Sequence, residues 1–387
     1  MKRLFFVLAA LMLLAPAAFA QTAAEITDQC ALTSVGKKTL ERMTDGDYRT
    51  HWDSSSNSYA YVQIEAGETI GGVYVQFYDN ATAFEVQTQD ESGSWQTVAE
   101  RDGAFLAEYA ALDAGASTVR IRPKDGKGRL FIAELHVFGE GDAPDWVQQW
   151  EAPLEKADLL ALAAHPDDEI LFLGGTIPYY AGEMGKKVQV AYLVPTMPYR
   201  RLELLDGLWL CGVKNYPIIG HFPDKYQLTL KGMYEQKGWS RESVYRFVAE
   251  AYRTCRPDVV ATQDVNGEYG HGAHRAAADA AQAAIALAAD AAYQEKMAHS
   301  EPWQVKKLYL HLYEQNPVKM DWRKPLAAFG GQTAFDIACR AFECHISQQR
   351  TDYHVQDFGP YDNSKFGLAF STVGEDVEKD DFFENLE

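Results

Sequence analysis

Two patterns of hydrophobic and polar positions divide the chain. Between about residues 25 and 140, apolar and polar residues alternate in short runs such as YAYVQIEA, IGGVYVQFY and RLFIAELHVFG, and clusters of Gly, Asp, Asn and Ser separate the runs. Short strands spaced about ten residues apart by turn signals are typical of a β-sandwich. We therefore predict an all-β sandwich over residues 21–140, and GEGDAPDW begins a linker over residues 141–157.

The pattern changes after this linker. The apolar runs DLLALAA, KVQVAYLV, DVVATQD and KKLYLHLY have the length of buried strands, and helical stretches lie between them. Alternating strands and helices indicate a mostly parallel sheet with helices on both faces. Residues 158–387 are thus predicted to form an α/β domain.

The first twenty residues have the pattern of a secretory signal peptide. Lys2 and Arg3 precede the apolar run LFFVLAALMLLA, and AFA places small residues before Gln21. An uncleaved membrane anchor is the alternative, but the run is short for a bilayer span of about 20 residues. We expect cleavage near Ala20, a secreted or periplasmic protein, and no transmembrane segment in the mature chain.

The net charge and the cysteine content limit which partners and which kinds of site this chain is expected to have. The formal net charge of −19 argues against nucleic acid as a partner, because nucleic-acid-binding surfaces are basic. The five cysteines are odd in number, widely scattered and without CxxC spacing. This pattern predicts neither a disulfide framework nor a cysteine-ligated zinc site.

The segment AHPDDEIL, which follows the first α/β strand, carries the first candidate chemistry. Ligands of open α/β sheets bind beyond the carboxyl ends of strands, where His165 and the acids Asp167, Asp168 and Glu169 stand. Acids also suit a helix N-terminus, and Pro suits its first turn. The segment therefore predicts a capped helix start or a metal site, and Glu169 is expected to be only a helix-start carboxylate.

A second cluster, YGHGAH, follows another strand end. His271 and His274 are three residues apart and share one face of a helical turn. Two imidazoles, one carboxylate and an open position are typical of hydrolytic zinc sites, and a second carboxylate can act as general base. The developing oxyanion needs hydrogen-bonding partners, which His271 and Tyr269 are placed to supply.

The motifs AHPDDE, RRLE near LCGV, and YGHGAH together resemble the PIG-L/LmbE-like family of zinc-dependent N-acetylglucosamine deacetylases. The resemblance covers the chain from Leu159 onward and implies a Rossmann-like fold that hydrolyses the N-acetyl group of an amino sugar. It implies Asp167 as general base, with zinc ligands His165, Asp168 and His274.

The same resemblance implies further roles. His271 would stabilise the oxyanion or act as an acid, and Tyr269 would polarise the amide carbonyl. Arg200 matches a sugar-contacting arginine, although an exposed helix arginine is the alternative. Asp224 would hold sugar hydroxyls or cap a turn. Ala273 stands where the family often has an acid, which leaves the surroundings of the second cluster open.

The N-terminal region has a resemblance of its own. TDGDYRTHWDSSS and IAELHVFG are similar to segments of discoidin/coagulation-factor type C domains, the jelly-roll sandwich of many carbohydrate-binding modules. The resemblance implies a structural calcium ion near Asp45, Thr50 and Glu134, which are oxygen-bearing side chains that suit calcium. An Asx-turn without an ion is the alternative.

These patterns predict an exported zinc hydrolase that removes the N-acetyl group from an N-acetylhexosamine in a glycan or glycoconjugate. The sandwich domain would hold the enzyme near its substrate. One alternative is a zinc amidase that acts on a non-glycan N-acyl substrate. Another is an inactive glycan-binding surface protein, although Asp167 counts against it because a binding protein has little need of a base beside a metal ligand.

Overall fold

The computed structural model describes residues 21–35, 39–54, 60–126, 128–296, 301–349 and 353–386. The predicted signal peptide therefore lies outside the described residues. Within the described ranges, no helix is long and apolar enough to cross a membrane.

The N-terminal part is an antiparallel β structure, called here the β-rich region. Its strands are β1 (Ala31–Ser34), β2 (Trp52–Asp53), β3 (Val62–Phe77), β4 (Phe84–Gln89), β5 (Trp95–Arg101), β6 (Ala107–Pro123) and β7 (Phe131–Phe138). The strand order is β2-β7-β3-β6-β4-β5, with β1 on the first half of β3. The β-rich architecture predicted for this region is thus present.

The two longest strands, β3 and β6, pair along most of their length. Their register shifts between Glu65 and Ile70 and again before Gly72, and such irregularities bend strands. The two strands predicted to start at residues 59 and 70 are therefore one continuous strand. The prediction separated them because the polar EAGET stretch at the shift has the composition of a turn.

The second half of β3 is buried on both faces. Val73 and Val75 lie in the hydrophobic core, while Tyr74 and Gln76, which point the other way along the strand, are also buried. Gln76 donates a hydrogen bond to the Tyr48 hydroxyl, which in turn donates to Asp206 of the α/β region over 2.8 Å. This face of the β-rich region is therefore covered by the α/β region.

The C-terminal part, called here the α/β region, contains a seven-stranded sheet. Its strands are β8 (Leu159–Ala163), β9 (Val188–Tyr192), β10 (Ile218–Ile219), β11 (Val259–Thr262), β12 (Lys307–His311), β13 (Pro317–Lys319) and β14 (Lys365–Ser371). In the order β10-β9-β8-β11-β12-β14-β13, the first five strands are parallel and the last two are antiparallel to their neighbours. The sheet predicted to be mostly parallel is thus a mixed sheet, with four parallel and two antiparallel pairings among the described strands, and the Rossmann-like fold stays a prediction.

Helices cover both faces of this sheet. The α-helices are α1 (Asp168–Leu171), α2 (Pro198–Leu210), α3 (Leu230–Tyr234), α4 (Arg241–Cys255), α5 (Gly272–Ala289) and α6 (Ala334–Glu343). Residues Pro178–Glu183 form a π-helical turn, and the 3-10 segments are Thr27–Gln29, Leu40–Met43, Lys124–Gly126, Glu268–Gly270, Ala291–Lys296, Ala327–Phe329, Ile346–Gln348 and Gly359–Tyr361.

Alternate residues of the central strand β8 belong to two different cores. Leu159 and Ala161 join the core that continues into the β-rich region. Leu160 and Leu162 join a second core with the buried alanines of α5. All five residues of β8 are buried, which explains why its sequence is a continuous apolar run. Val147 and Trp150 of the predicted linker are also buried in the first core.

The acidic C-terminal segment packs against the α/β region. The buried Lys307 ammonium lies 2.5 Å from an Asp376 carboxylate oxygen. Phe382 is completely buried, and its ring stacks on Tyr309 and Tyr180 at centroid distances of 4.3 and 5.5 Å. The segment is thus part of the folded core.

The substitution Phe382→Ala tests this packing. It removes a buried ring from the stack, so we expect the free energy of unfolding to fall by about 3–5 kcal/mol. Urea unfolding followed by circular dichroism measures the change. Phe358, which is 68% exposed, is the matched control, and Phe358→Ala should change stability by less than about 0.5 kcal/mol. Equal stabilities of the two variants would contradict this packing role.

Candidate metal centre and active site

Two adjacent parallel strands bring the two sequence clusters together. β8 and β11 pair in register, and Leu162 lies opposite Thr262. The carboxyl ends of parallel neighbours lie at the same edge of a sheet, so the segments that follow them meet there. HPDDE follows β8 and leads into α1, while the YGHGAH segment follows β11 and leads into α5.

One carboxylate oxygen lies between two imidazoles at this edge. Oδ2 of Asp168 is 3.0 Å from Nδ1 of His165 and 3.3 Å from Nε2 of His274, and all three side chains are buried. Donor atoms about 2.1 Å from a tetrahedral zinc ion are about 3.4 Å apart. The spacing and the nitrogen and oxygen donors therefore fit a zinc ion held by these three residues.

His271 is the fourth member of the cluster. Its donor atom and those of His165 and His274 all lie within 4.8 Å of one another. Nδ1 of His271 accepts the backbone N–H of Ala273 over 3.2 Å, so the proton of the neutral ring is on Nε2. Burial and the neighbouring imidazoles lower the pKa of His271 to about 3. The ring is thus a neutral N–H donor near neutral pH.

Glu268 orients His274 from the interior side. Its two oxygens lie 2.9 Å from Nδ1 of His274 and 2.6 Å from Nδ1 of His311, and all three residues are fully buried. A carboxylate can only accept here, so Nδ1 of His274 carries a proton and Nε2 is left to bind a metal. Burial opposes ionisation of Glu268, but the two imidazoles outweigh it and lower its pKa to about 2.

Sequence reasoning did not find Glu268 or His311. His311 ends the apolar strand β12, and a histidine at a strand end of the central sheet is the available signal. The question left open by Ala273 is also answered, because the second cluster receives its carboxylate from Glu268.

Asp167 has an unusual backbone conformation. Its φ of 106° costs an L-residue on the order of 1–3 kcal/mol, and such strain is common at functional sites. Arg200 holds it through hydrogen bonds to an Asp167 carboxylate oxygen over 2.9 Å and to the Pro166 carbonyl over 2.5 Å. Burial raises the pKa of the Asp167 carboxyl despite the opposing charge of Arg200.

Glu169 and His345 support Asp167 from the interior. Glu169 accepts the backbone N–H of Asp167 over 2.9 Å and lies 3.4 Å from Nε2 of His345. Both side chains are fully buried. Glu169 is therefore more than the helix-start carboxylate that the sequence predicted, since it fixes the strained peptide of Asp167.

The remaining predicted residues surround this cluster. The Tyr269 hydroxyl lies 3.4 Å from Nε2 of His274. Arg200 pairs with Asp167 and is largely buried. The alternative prediction, an exposed helix arginine, is therefore wrong. Asp224 is at the rim, where its carboxylate is 3.9 Å from Nε2 of His165.

The residues predicted to hold calcium also come together, in the β-rich region. Thr50 donates to Asp45 over 2.8 Å, and Asp45 accepts the backbone N–H of Asp47, which is an Asx-turn contact. Glu134 is buried beside them with one oxygen unpaired, and burial and Asp45 raise its pKa to about 8. The Asx-turn is present, and calcium at this place stays a prediction.

A protein-family model matches the part of the chain that contains this cluster. Residues 160–285 match the model of the family described as "PIG-L: GlcNAc-PI de-N-acetylase". This segment contains the histidine and acid clusters, while His311 and His345 lie beyond it.

Several curated proteins named 1D-myo-inositol 2-acetamido-2-deoxy-alpha-D-glucopyranoside deacetylase are similar to the chain. The protein from Streptomyces scabiei is 31% identical over 178 residues, which are 39% of this chain and 54% of that protein. The protein from Rhodococcus jostii is 30% identical over 42% of this chain and 63% of that protein. The chain thus spans between half and two thirds of the length of these two proteins. The protein from Rhodococcus erythropolis is 29% identical over 59% of this chain and 97% of that protein.

Solved structures resemble each region at low identity. N,N'-diacetylchitobiose deacetylase from Pyrococcus horikoshii is 18% identical with a TM-score of 0.35, covering 53% of this chain and 75% of that one. An F5/8 type C domain from Bacteroides fragilis is 14% identical with a TM-score of 0.25, covering 31% of this chain and 96% of that one.

The substitution Glu268→Gln tests the orienting role of this carboxylate. It removes the negative charge behind His274 while keeping the side-chain shape, so zinc affinity should fall about 10–100-fold. Competition with a chromophoric chelator measures the affinity. Glu235 is exposed and directly follows α3, and Glu235→Gln should bind zinc as the unaltered protein does. If the Glu268→Gln variant bound zinc with unchanged affinity, the orienting role of Glu268 would be contradicted.

Proposed function

We propose that this chain is a zinc-dependent hydrolase that removes the N-acetyl group from an N-acetylhexosamine in a glycan or glycoconjugate. The observation that carries the proposal is the buried contact of Asp168 with His165 and His274, with the carboxyl of Asp167 beside it. The match to a deacetylase family over residues 160–285, and relatives named as acetamido-sugar deacetylases, support the same reaction.

Zinc would be held by His165, Asp168 and His274, whose donor types and spacing suit this ion. A zinc ion bound there would supply a Lewis acid, which lowers the pKa of water to about 7 in hydrolytic sites. His271 is left for another task, since its Nδ1 is engaged by the backbone of Ala273.

Asp167 takes the proton from the attacking water in this proposal. Arg200 and the hydrogen bond from its own backbone to Glu169 fix its carboxyl beside the ligand Asp168. The raised pKa of Asp167 suits a general base, because proton transfer is most effective when the pKa is near the working pH. The same carboxyl can then return the proton to the departing amine nitrogen.

His271 and Tyr269 stabilise the negative oxygen that develops on the acetyl carbonyl. The low pKa of His271 keeps the ring neutral, so it acts as a hydrogen-bond donor through Nε2 and not as a charged acid. Burial and the nearby Asp168 raise the pKa of the Tyr269 phenol, so its hydroxyl stays protonated and can donate. Preorganised donors of this kind are a large source of rate enhancement.

Export is part of the proposal and rests on the sequence pattern of residues 1–20. In an exported protein the β-rich region would keep the enzyme near a glycan. The N-terminal sequence of the mature protein tests this, and it is expected to begin at Gln21. A mature chain that retains Met1 would contradict cleavage.

Acetate release tests the reaction. Purified protein loaded with zinc should release acetate from a panel of N-acetylated glycans, a chelator should abolish the release, and added zinc should restore it. Release that continues after the metal is removed would contradict zinc dependence. If the zinc-loaded protein released acetate only from non-glycan N-acyl compounds, the alternative amidase function would replace the proposed one.

The substitution Asp167→Asn tests the general base. It keeps the shape of the side chain but removes its ability to accept the proton, so kcat should fall by about 10²–10⁴-fold. Zinc content, measured by elemental analysis, should stay the same because Asp167 is not a proposed ligand. Asp113→Asn, at an exposed position in the β-rich region, is the control. Full activity of Asp167→Asn would contradict this role.

A further inference from the structure

Exposed aromatic rings border the metal cluster. Tyr226 lies two residues after Asp224 and is 68% exposed, and Tyr353 is 41% exposed. The Tyr226 ring is 5.3 Å from the His271 ring in an edge-to-face arrangement. The Tyr353 ring stacks on Tyr269 at 5.3 Å. Each ring thus contacts one of the two residues assigned to the acetyl carbonyl.

The exposed rings of Tyr226 and Tyr353 place apolar surface beside the metal cluster. Tyr180 and Tyr309, which also contact other rings, are by contrast buried, as their apolar area favours. Leu228, which follows Tyr226 by two residues and lies near Gly270, is 52% exposed. Clustered exposed apolar surface marks a binding site, whereas single exposed residues are ordinary.

Polar groups accompany the rings. The Asp224 carboxylate is more than half exposed and lies 3.9 Å from His165. The tyrosine hydroxyls add donors and acceptors. A pyranose ring presents an apolar C–H face together with hydroxyl groups at its edge, so ring faces beside a carboxylate match its chemistry. A lipid chain would leave the carboxylate without a partner, which is costly on burial.

We propose that Tyr226 and Tyr353 are specificity-determining residues that stack on the sugar rings flanking the N-acetylated residue. The preferred substrate is then an oligosaccharide of N-acetylhexosamine, not a free monosaccharide and not an acylated lipid. This inference rests on the proposed deacetylase function and names the substrate class for the same site.

Chain-length dependence of acetate release tests the inference. The probes are N-acetylglucosamine and its β-1,4-linked dimer, trimer and tetramer, used with the zinc-loaded full chain. We expect kcat/KM to rise at least tenfold from the monosaccharide to the trimer. Tyr226→Ala and Tyr353→Ala should each lower kcat/KM for the trimer about tenfold, chiefly through KM, and should shrink the preference for longer chains.

Conservative variants and a matched control separate stacking from other effects. Tyr226→Phe and Tyr353→Phe keep the ring and should retain most of the chain-length preference. Tyr61, whose ring lies under the Arg120 guanidinium in the β-rich region, is the control, and Tyr61→Ala should leave all four substrates unaffected.

Three results would overturn the inference. Equal kcat/KM for the monosaccharide and the oligomers would do so, as would alanine variants that lower activity equally on every chain length. Faster release from an N-acetylated long-chain amine than from the trimer would also contradict it. In each case acetate release from glycans by the unaltered protein would still stand. The absence of any release from glycans is the separate result that overturns the proposed function, and this inference with it.

Discussion

The carboxylate of Asp168, placed between His165 and His274, is the contact on which the site depends. Asp168 begins α1, after β8, whereas His274 lies in the first turn of α5, after β11. The in-register parallel pairing of these two strands places the two helix starts side by side. Burial opposes ionisation of Asp168, but the two imidazoles outweigh it and hold its pKa below the usual range. The sheet therefore positions the ionised carboxylate of Asp168 between the two histidines.

The groups around this contact offset the free-energy cost of burying charged side chains. Glu268 and Glu169 are each fully buried and each faces an imidazole, His274 and His345 respectively. Burying a carboxylate without a partner costs several kcal/mol, and the imidazole that faces each of these carboxylates offsets part of that cost. Asp167 adds backbone strain that Glu169 and Arg200 hold in place. An arrangement held by such contacts is what the proposed preorganised catalytic site would require.

Much of this could be predicted from the sequence, for identifiable physical reasons. Hydrophobic periodicity placed AHPDDE and YGHGAH at strand ends, and parallel strands deliver such ends to one edge. His345 could not be predicted, because its partner Glu169 is distant in sequence. His311 was missed because it lies within an apolar run, and Glu268 because its role appears only when His274 and His311 are brought together around it. The antiparallel pair β13 and β14 was also missed, since β13 is only three residues long and has no clear period. The join within β3 was missed because a bulge and a turn have the same composition.

The most direct test of the metal centre is anomalous X-ray diffraction at the zinc absorption edge, from crystals of the purified full chain. The predicted result is one anomalous peak about 2.0–2.2 Å from a donor atom of each of His165, Asp168 and His274, with His271 not bound to it. No peak at this place, or a peak bound by His271 in place of Asp168, would contradict the assignment of the ligands.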